Sequence, residues 1–107
     1  AVEGVTITSL IDLESQAPAY MAFRDNYLKK YGAEPTFAAV YTYEATMLLL
    51  NTVAETANPN PETVKQAILQ KGIYPGLQNE ITIDGYGDAS RTIYEYVVKN
   101  GQFTKAE

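Results

Sequence analysis

With 107 residues, of which 8 are Lys or Arg and 13 are Asp or Glu, the chain has room for one domain and carries a net charge of -5. Its cations are scattered, so no stripe tracks a phosphate backbone and nucleic acid is not an expected partner. The absence of Cys and His removes thiol nucleophiles, disulfides, Cys or His zinc sites and the side chain best suited to proton transfer near neutral pH. Apolar runs such as Met47–Leu50 are far too short to cross a bilayer. The opening "AVEGVTITSL" has no basic, apolar or cleavable leader, so the chain reads as a mature or excised segment of a longer product.

In chain order, "GVTITSLID" alternates β-branched residues with Thr and predicts a first strand, entered at Gly4. After Pro18, the residues Tyr20, Phe23, Tyr27, Leu28 and Tyr31 recur at spacings of three and four, and "KKYG" supplies cations and a glycine for a helix end. A second helix is expected from Tyr43 to Ala57, with Thr42 as N-cap and Glu44 in the first turn. Apolar positions run most of the way round it, which calls for cover on more than one side. "NPNPETVKQAILQKG" predicts a third helix, capped by Asn60, started by Pro61 and stopped by Gly72. "GIYPGL" reads as a connector, and residues 81–103 as two strands tied by the loop "DGYGD".

That loop is the first candidate for chemistry. Asp84 and Asp88 around two glycines fall short of the roughly six oxygen ligands a calcium loop requires, Arg91 stands in the way, and the glycines do not lead into a helix as a phosphate cradle does. The expected role is a hairpin bend, with glycine at positive φ and Asp side chains accepting from backbone N–H groups, and no metal. The carboxylate pairs Asp12/Glu14 and Glu80/Asp84 have nothing to force their environments apart, and Ser9, Ser15 and Ser90 lack a base, so catalysis is not expected. Among the tyrosines, Tyr20, Tyr27 and Tyr31 are assigned to helix packing, and Tyr94 and Tyr96 to one face of a strand. Tyr41 and Tyr43 stand apart because "TFAAVYTY" runs into a helix start, the kind of junction where α/β folds hold small ligands.

The succession "VEGVTITSLID", "YLKKYGAEP", "YEA", "DGYGD" and "NGQF" resembles the last third of a type I periplasmic binding protein. More narrowly, it is similar to the branched-chain and general amino-acid binding proteins of ABC transporters. The resemblance implies an α/β chain carrying part of that fold: a crossover strand in 1–12, three helices of the first lobe in 15–72, and a C-terminal β-hairpin in 77–103 returning to the second lobe. It implies an extracytoplasmic receptor, periplasmic or extracellular, free or held as a lipoprotein, that closes two lobes on an amino acid or similar small solute. An ABC permease is the implied partner, and no cofactor is implied. The family's ammonium-gripping carboxylate and its Ser and Thr elements belong upstream. By spacing, its specificity-setting position falls at Ala38, with Ala39, Tyr41, Tyr43 and Glu44 nearby. Ala38 is small where the family often has a bulky or charged residue, and Glu44 stands for the more usual Asp. The same fold also serves sensing modules of receptors, kinases and transcription regulators, which is the alternative reading. The isolated chain is expected to self-associate as a homodimer.

Overall fold

Three helices and six short strands follow one another: β1 (Thr6–Ser9), α1 (Pro18–Tyr31), α2 (Phe37–Glu55), α3 (Pro61–Lys71), β2 (Ile73–Pro75), β3 (Glu80–Ile83), β4 (Ala89–Ser90), β5 (Tyr94–Lys99) and β6 (Gln102–Lys105). The structure is a computed structural model describing residues 2–106, so Ala1 of the expected crossover segment lies outside the described residues.

Local chemistry sets α1 and α3 where the sequence places them. Pro18 starts α1, and Gly32 ends it at φ 70°, donating its N–H to the Leu28 carbonyl at 2.8 Å. Asn60 caps α3, its Oδ1 accepting from the amides of Glu62 and Thr63 at 3.0 and 3.1 Å, while Thr63 Oγ1 accepts from the Asn60 amide at 3.0 Å.

The second helix departs from expectation. It begins at Phe37 rather than Tyr43, with Thr36 and not Thr42 at the N-cap position, and no side chain caps it. Ala38 and Ala39, strong helix formers just beyond Pro35 and Thr36, support a helix that starts at Phe37. Glu44 therefore lies about two turns inside the helix and not in its first turn.

The strands form two antiparallel sheets, ordered β1-β5-β6 and β2-β3-β4. The expected pairing of the two strands within 81–103 is corrected: they belong to different sheets. Beyond the "DGYGD" loop only Ala89 and Ser90 return along β3, opposite Ile83 and Thr82. The chain then leaves at Arg91, and β5 pairs with β1, Thr6 opposite Val97 through Ser9 opposite Tyr94. A second hairpin joins β5 to β6 through Asn100 (φ 52°) and Gly101 (φ 74°), the Asn-Gly pair that favours tight hairpin turns. The expected connector "GIYPGL" contains β2, paired with β3.

The "DGYGD" loop is a bend as expected, though its two aspartates act differently. Asp84 Oδ1 accepts from the amides of Tyr86 and Asp88, each at 2.9 Å, and Gly87 takes φ 95°. Asp88 contributes through its backbone, its carbonyl accepting from the Asp84 amide at 3.0 Å.

The main core cluster, Ile11, Tyr20, Val40 and Leu77, lies where the segment after β1, α1, α2 and the β2–β3 loop meet, with Ala17, Phe23 and Tyr41 packed on it. In the first sheet, Tyr96 and Val98 are buried.

Candidate functional site

The first two turns of α2 carry every residue singled out by spacing, but the helix divides them between two faces. Ala38, Ala39 and Tyr43 line an open groove of 530 Å³ with Phe23, Tyr27 and Tyr31 of α1. Its wall is an aromatic ladder: ring centroids of Phe23 and Tyr43 lie 4.8 Å apart, Phe23 and Tyr27 5.9 Å, and Tyr27 and Tyr31 4.6 Å. Such tilted spacings are favourable for aromatic pairs. Ala38 leaves the floor open, since a methyl group fills little of the volume that a longer side chain takes.

Tyr41 and Glu44 face the other way. Glu44 is 7% exposed, and its Oε1 accepts from Arg91 Nη2 at 2.5 Å while Oε2 accepts from the Leu77 amide at 2.8 Å. The Arg91 guanidinium also lies over the Tyr41 ring, 4.7 Å from its centroid. Burial pushes the Tyr41 phenol above its ordinary value, against the pull of the Arg91 charge. A carboxylate so placed has both oxygens engaged, and its work is to hold the β2–β3 loop and the exit from β4 against α2.

The lock extends into the backbone. Gly76 donates its N–H to the Asn79 carbonyl at 3.0 Å, and a Cβ at this position would overlap that carbonyl and come within 2.6 Å of Glu44 Oε2. Arg91 and Gly76 were not singled out in the sequence. Arg91 stands alone between two β-rich runs, and no local pattern ties it to a carboxylate 47 residues away.

A groove walled by aromatic rings, floored by alanine and edged by the hydroxyl-bearing Thr36 and Thr42 can take up an apolar or aromatic body with a polar end, and Asn26 and Lys30 line a separate pocket that shares the aromatic rings. Among the described residues no group of three or more Asp and Glu side chains is placed to hold a metal ion, and no helix is long and apolar enough to cross a membrane.

The family model described as periplasmic binding protein matches residues 1–102. The chain belongs to the periplasmic binding protein family. No curated protein matches the chain. Among solved structures, it is similar to an ABC transporter substrate-binding protein from Desulfitobacterium hafniense in complex with Leu, with TM-score 0.87 and 24% identity over 98% of this chain and 32% of that one. A leucine-binding protein from Thermotoga maritima is 28% identical, with TM-score 0.81 over 99% of this chain and 31% of that one. A solute-binding protein of an ABC transporter from Rhodopseudomonas palustris, in complex with 3,4-dihydroxybenzoic acid, shares the fold with TM-score 0.79 and 21% identity, over 95% of this chain and 29% of that one. The chain thus spans about a third of the length of the structures it matches. The expected α/β architecture, part of a periplasmic binding fold, is the one observed.

Proposed function

We propose that this chain is the carboxy-terminal part of an extracytoplasmic solute-binding receptor, which captures an amino acid or similar small solute by closing two lobes and hands it to an ABC permease. The observation that carries this reading is the match of nearly the whole chain, at 28% identity, to a leucine-binding protein. In this reading residues 1–12 cross between lobes, 15–72 belong to the first lobe and 77–103 return toward the second. Ala38, Ala39 and Tyr43 present the groove to the solute, and Tyr41 and Glu44 fix the helix from behind. Binding comes from burying the solute between polar groups that match its ends, and closure is favoured by the contacts made only in the closed state. No bond is made or broken.

The neighbours' solutes, Leu in one case and 3,4-dihydroxybenzoic acid in another, both join a carboxylate to an apolar or aromatic body. The same class suits an aromatic-walled groove with an alanine floor. Calorimetry on the full receptor against leucine, isoleucine, phenylalanine and 3,4-dihydroxybenzoate tests this. Saturable binding of at least one, weakened by filling the floor with Ala38→Trp, is expected. A folded receptor that binds none of them, or binds one with unchanged affinity after Ala38→Trp, overturns the solute class or the site respectively.

A further inference from the structure

The turn between β5 and β6 joins a reactive dipeptide to a carboxylate from the other end of the chain. Asn100 and Gly101 form its tip at φ 52° and 74°, and both are exposed. Asn100 is the one asparagine with glycine after it; Asn26, Asn51, Asn58, Asn60 and Asn79 precede Tyr, Thr, Pro or Glu. With no Cβ to shield it, a glycine nitrogen is open to approach the side-chain carbonyl carbon of the residue before it.

Glu3 is brought to this turn by the backbone ahead of β1. Gly4, at φ 81°, closes a turn in which the Val5 amide donates to the Val2 carbonyl at 3.1 Å. Two further bonds fix that turn beside β5, from the Gly4 amide to the Val98 carbonyl and from the Val98 amide to the Val5 carbonyl, each at 2.9 Å. From there Glu3 Oε1 accepts from the Asn100 amide at 2.7 Å and Oε2 from the Gly101 amide at 3.2 Å. In an exposed turn water would satisfy these amides equally well, so the distinct effect of the carboxylate is on what the Gly101 nitrogen is able to do.

We propose that Asn100 is a modification site, converted to Asp and isoaspartate by attack of the Gly101 nitrogen, and that Glu3 slows the conversion by clamping that nitrogen. In the attack the Gly101 nitrogen gives its proton to solvent and bonds to Asn100 Cγ. The Cγ–Nδ2 bond breaks, and the leaving nitrogen takes up a proton and departs as ammonia. Water then opens the succinimide at either carbonyl, giving Asp or isoaspartate, with no oxidant or reductant required. The attacking species is the deprotonated amide, and a carboxylate bonded to the N–H disfavours that anion. Attack also requires the nitrogen to turn from Glu3 toward the Asn100 side chain, so both effects slow it. Either product sets a new carboxylate beside Glu3. Isoaspartate also adds a carbon to the main chain of the turn, which the pairing of Lys99 with Gln102 does not accommodate.

Ageing of the full receptor at neutral pH tests this. Arginine-specific cleavage after Arg91 releases the segment that begins at Thr92, in which mass spectrometry reads the exchange of amide for acid and chromatography resolves isoaspartate. A peptide of residues 96–105 supplies the unclamped rate. The wild type is expected to convert at least about tenfold more slowly than the peptide, the scale of one hydrogen bond to a charged group. Glu3→Ala is expected to recover most of that difference, and Glu3→Gln, which keeps an acceptor oxygen without the charge, to fall between. Asn60→Ala weakens the cap of α3 and leaves the turn alone, so its rate is expected to match the wild type. A Glu3→Ala rate equal to or below the wild-type rate overturns the clamp, as does equal acceleration in Asn60→Ala, which would assign the effect to loosening of the whole fold. An Asn100 that stays intact in folded Glu3→Ala while the peptide converts overturns the site itself.

Discussion

Gly76 and Glu44 occupy each other's space, and that makes one missing carbon decisive. A Cβ at Gly76 has no way to avoid the Asn79 carbonyl, which is backbone, so Gly76→Ala must spread the β2–β3 loop and loosen the Leu77 amide from Glu44. Urea unfolding is expected to show a loss of about 1 to 3 kcal/mol, the scale of overpacking. Arg91→Ala removes the only cation paired with Glu44 among the described residues and leaves a buried carboxylate uncompensated. Such a loss costs about 3 to 5 kcal/mol, and the Glu44→Gln, Arg91→Ala double variant should recover part of it. Equal stability of the single and double variants would show that the Glu44 charge is already screened.

Tyr96 and Asp12 give the chain a pH signature. Burial, and next the hydrogen bond to Asp12, raise the Tyr96 phenol to about 12. Unfolded tyrosine titrates near about 10, so between these values the unfolded state holds fewer protons and stability falls as pH rises. This stability is fully present below the unfolded value. For Asp12, burial pushes the carboxyl up, but the bonds from Lys105, the Glu14 amide and Tyr96 together outweigh it and hold the group below its ordinary range. Its contribution is therefore present above the unfolded carboxylate value and lost as pH falls through the lower folded one. Urea midpoints against pH should decline on the alkaline side, and Tyr96→Phe should flatten that decline. An alkaline decline unchanged in Tyr96→Phe would place its origin elsewhere.

At the scale of elements, what could be read in the sequence was whatever carries its own punctuation. α3 announces itself through Asn60, Pro61 and Gly72, and α1 through Pro18 and Gly32, because caps act within a turn of the residues they satisfy. Asn60→Ala should accordingly cost about 1 kcal/mol, read from the urea midpoint, with Asn60→Asp nearly neutral. A full loss with Asn60→Asp would mean that the side-chain bonds at 3.0 and 3.1 Å are not what holds the helix start. The start of α2 was not legible because Thr36 makes no cap bond, and a stronger cap candidate, Thr42, stands inside the helix. β2 and β4, of three and two residues, are too short to show a period. The division of β3 and β5 between two sheets is decided by β1, at the far end of the chain, and by Arg91 reaching α2. Neither lies in any local window. Of the residues family spacing pointed to, Ala38, Ala39 and Tyr43 share one groove, while Tyr41 and Glu44 lie on the opposite face of α2, a division that spacing along the chain does not express.

The whole molecule is loose for its length. Its radius of gyration is 16.5 Å, with extents of 54 × 32 × 21 Å. A compact chain of about 100 residues has a radius near 13 Å. Its accessible surface is 7581 Å², where a monomer of 11.8 kDa is expected to show about 5,900 Å². The excess, about 1,700 Å², is roughly twice what one partner buries in a standard interface. Much of it is apolar: Tyr43, Met47, Leu50 and Val53 form an exposed stripe along α2, and Leu49 is exposed beside it. In the proposed receptor the remainder of the fold covers this face. Alone in solution, a second copy is the partner always at hand, and a two-fold pairing lets one stripe cover the other. The isolated chain is therefore expected to run as a dimer in light scattering at micromolar concentration and to bind free amino acids weakly or not at all. Leu50→Lys with Val53→Lys should return it to a monomer with helix content kept, since both side chains already face solvent within the single chain. A wild-type chain that stays monomeric and binds an amino acid tightly would sink both parts of the expectation. A dimer that survives both lysines would move the interface from α2 to the open edges of the sheets, where unpaired backbone groups invite a second strand.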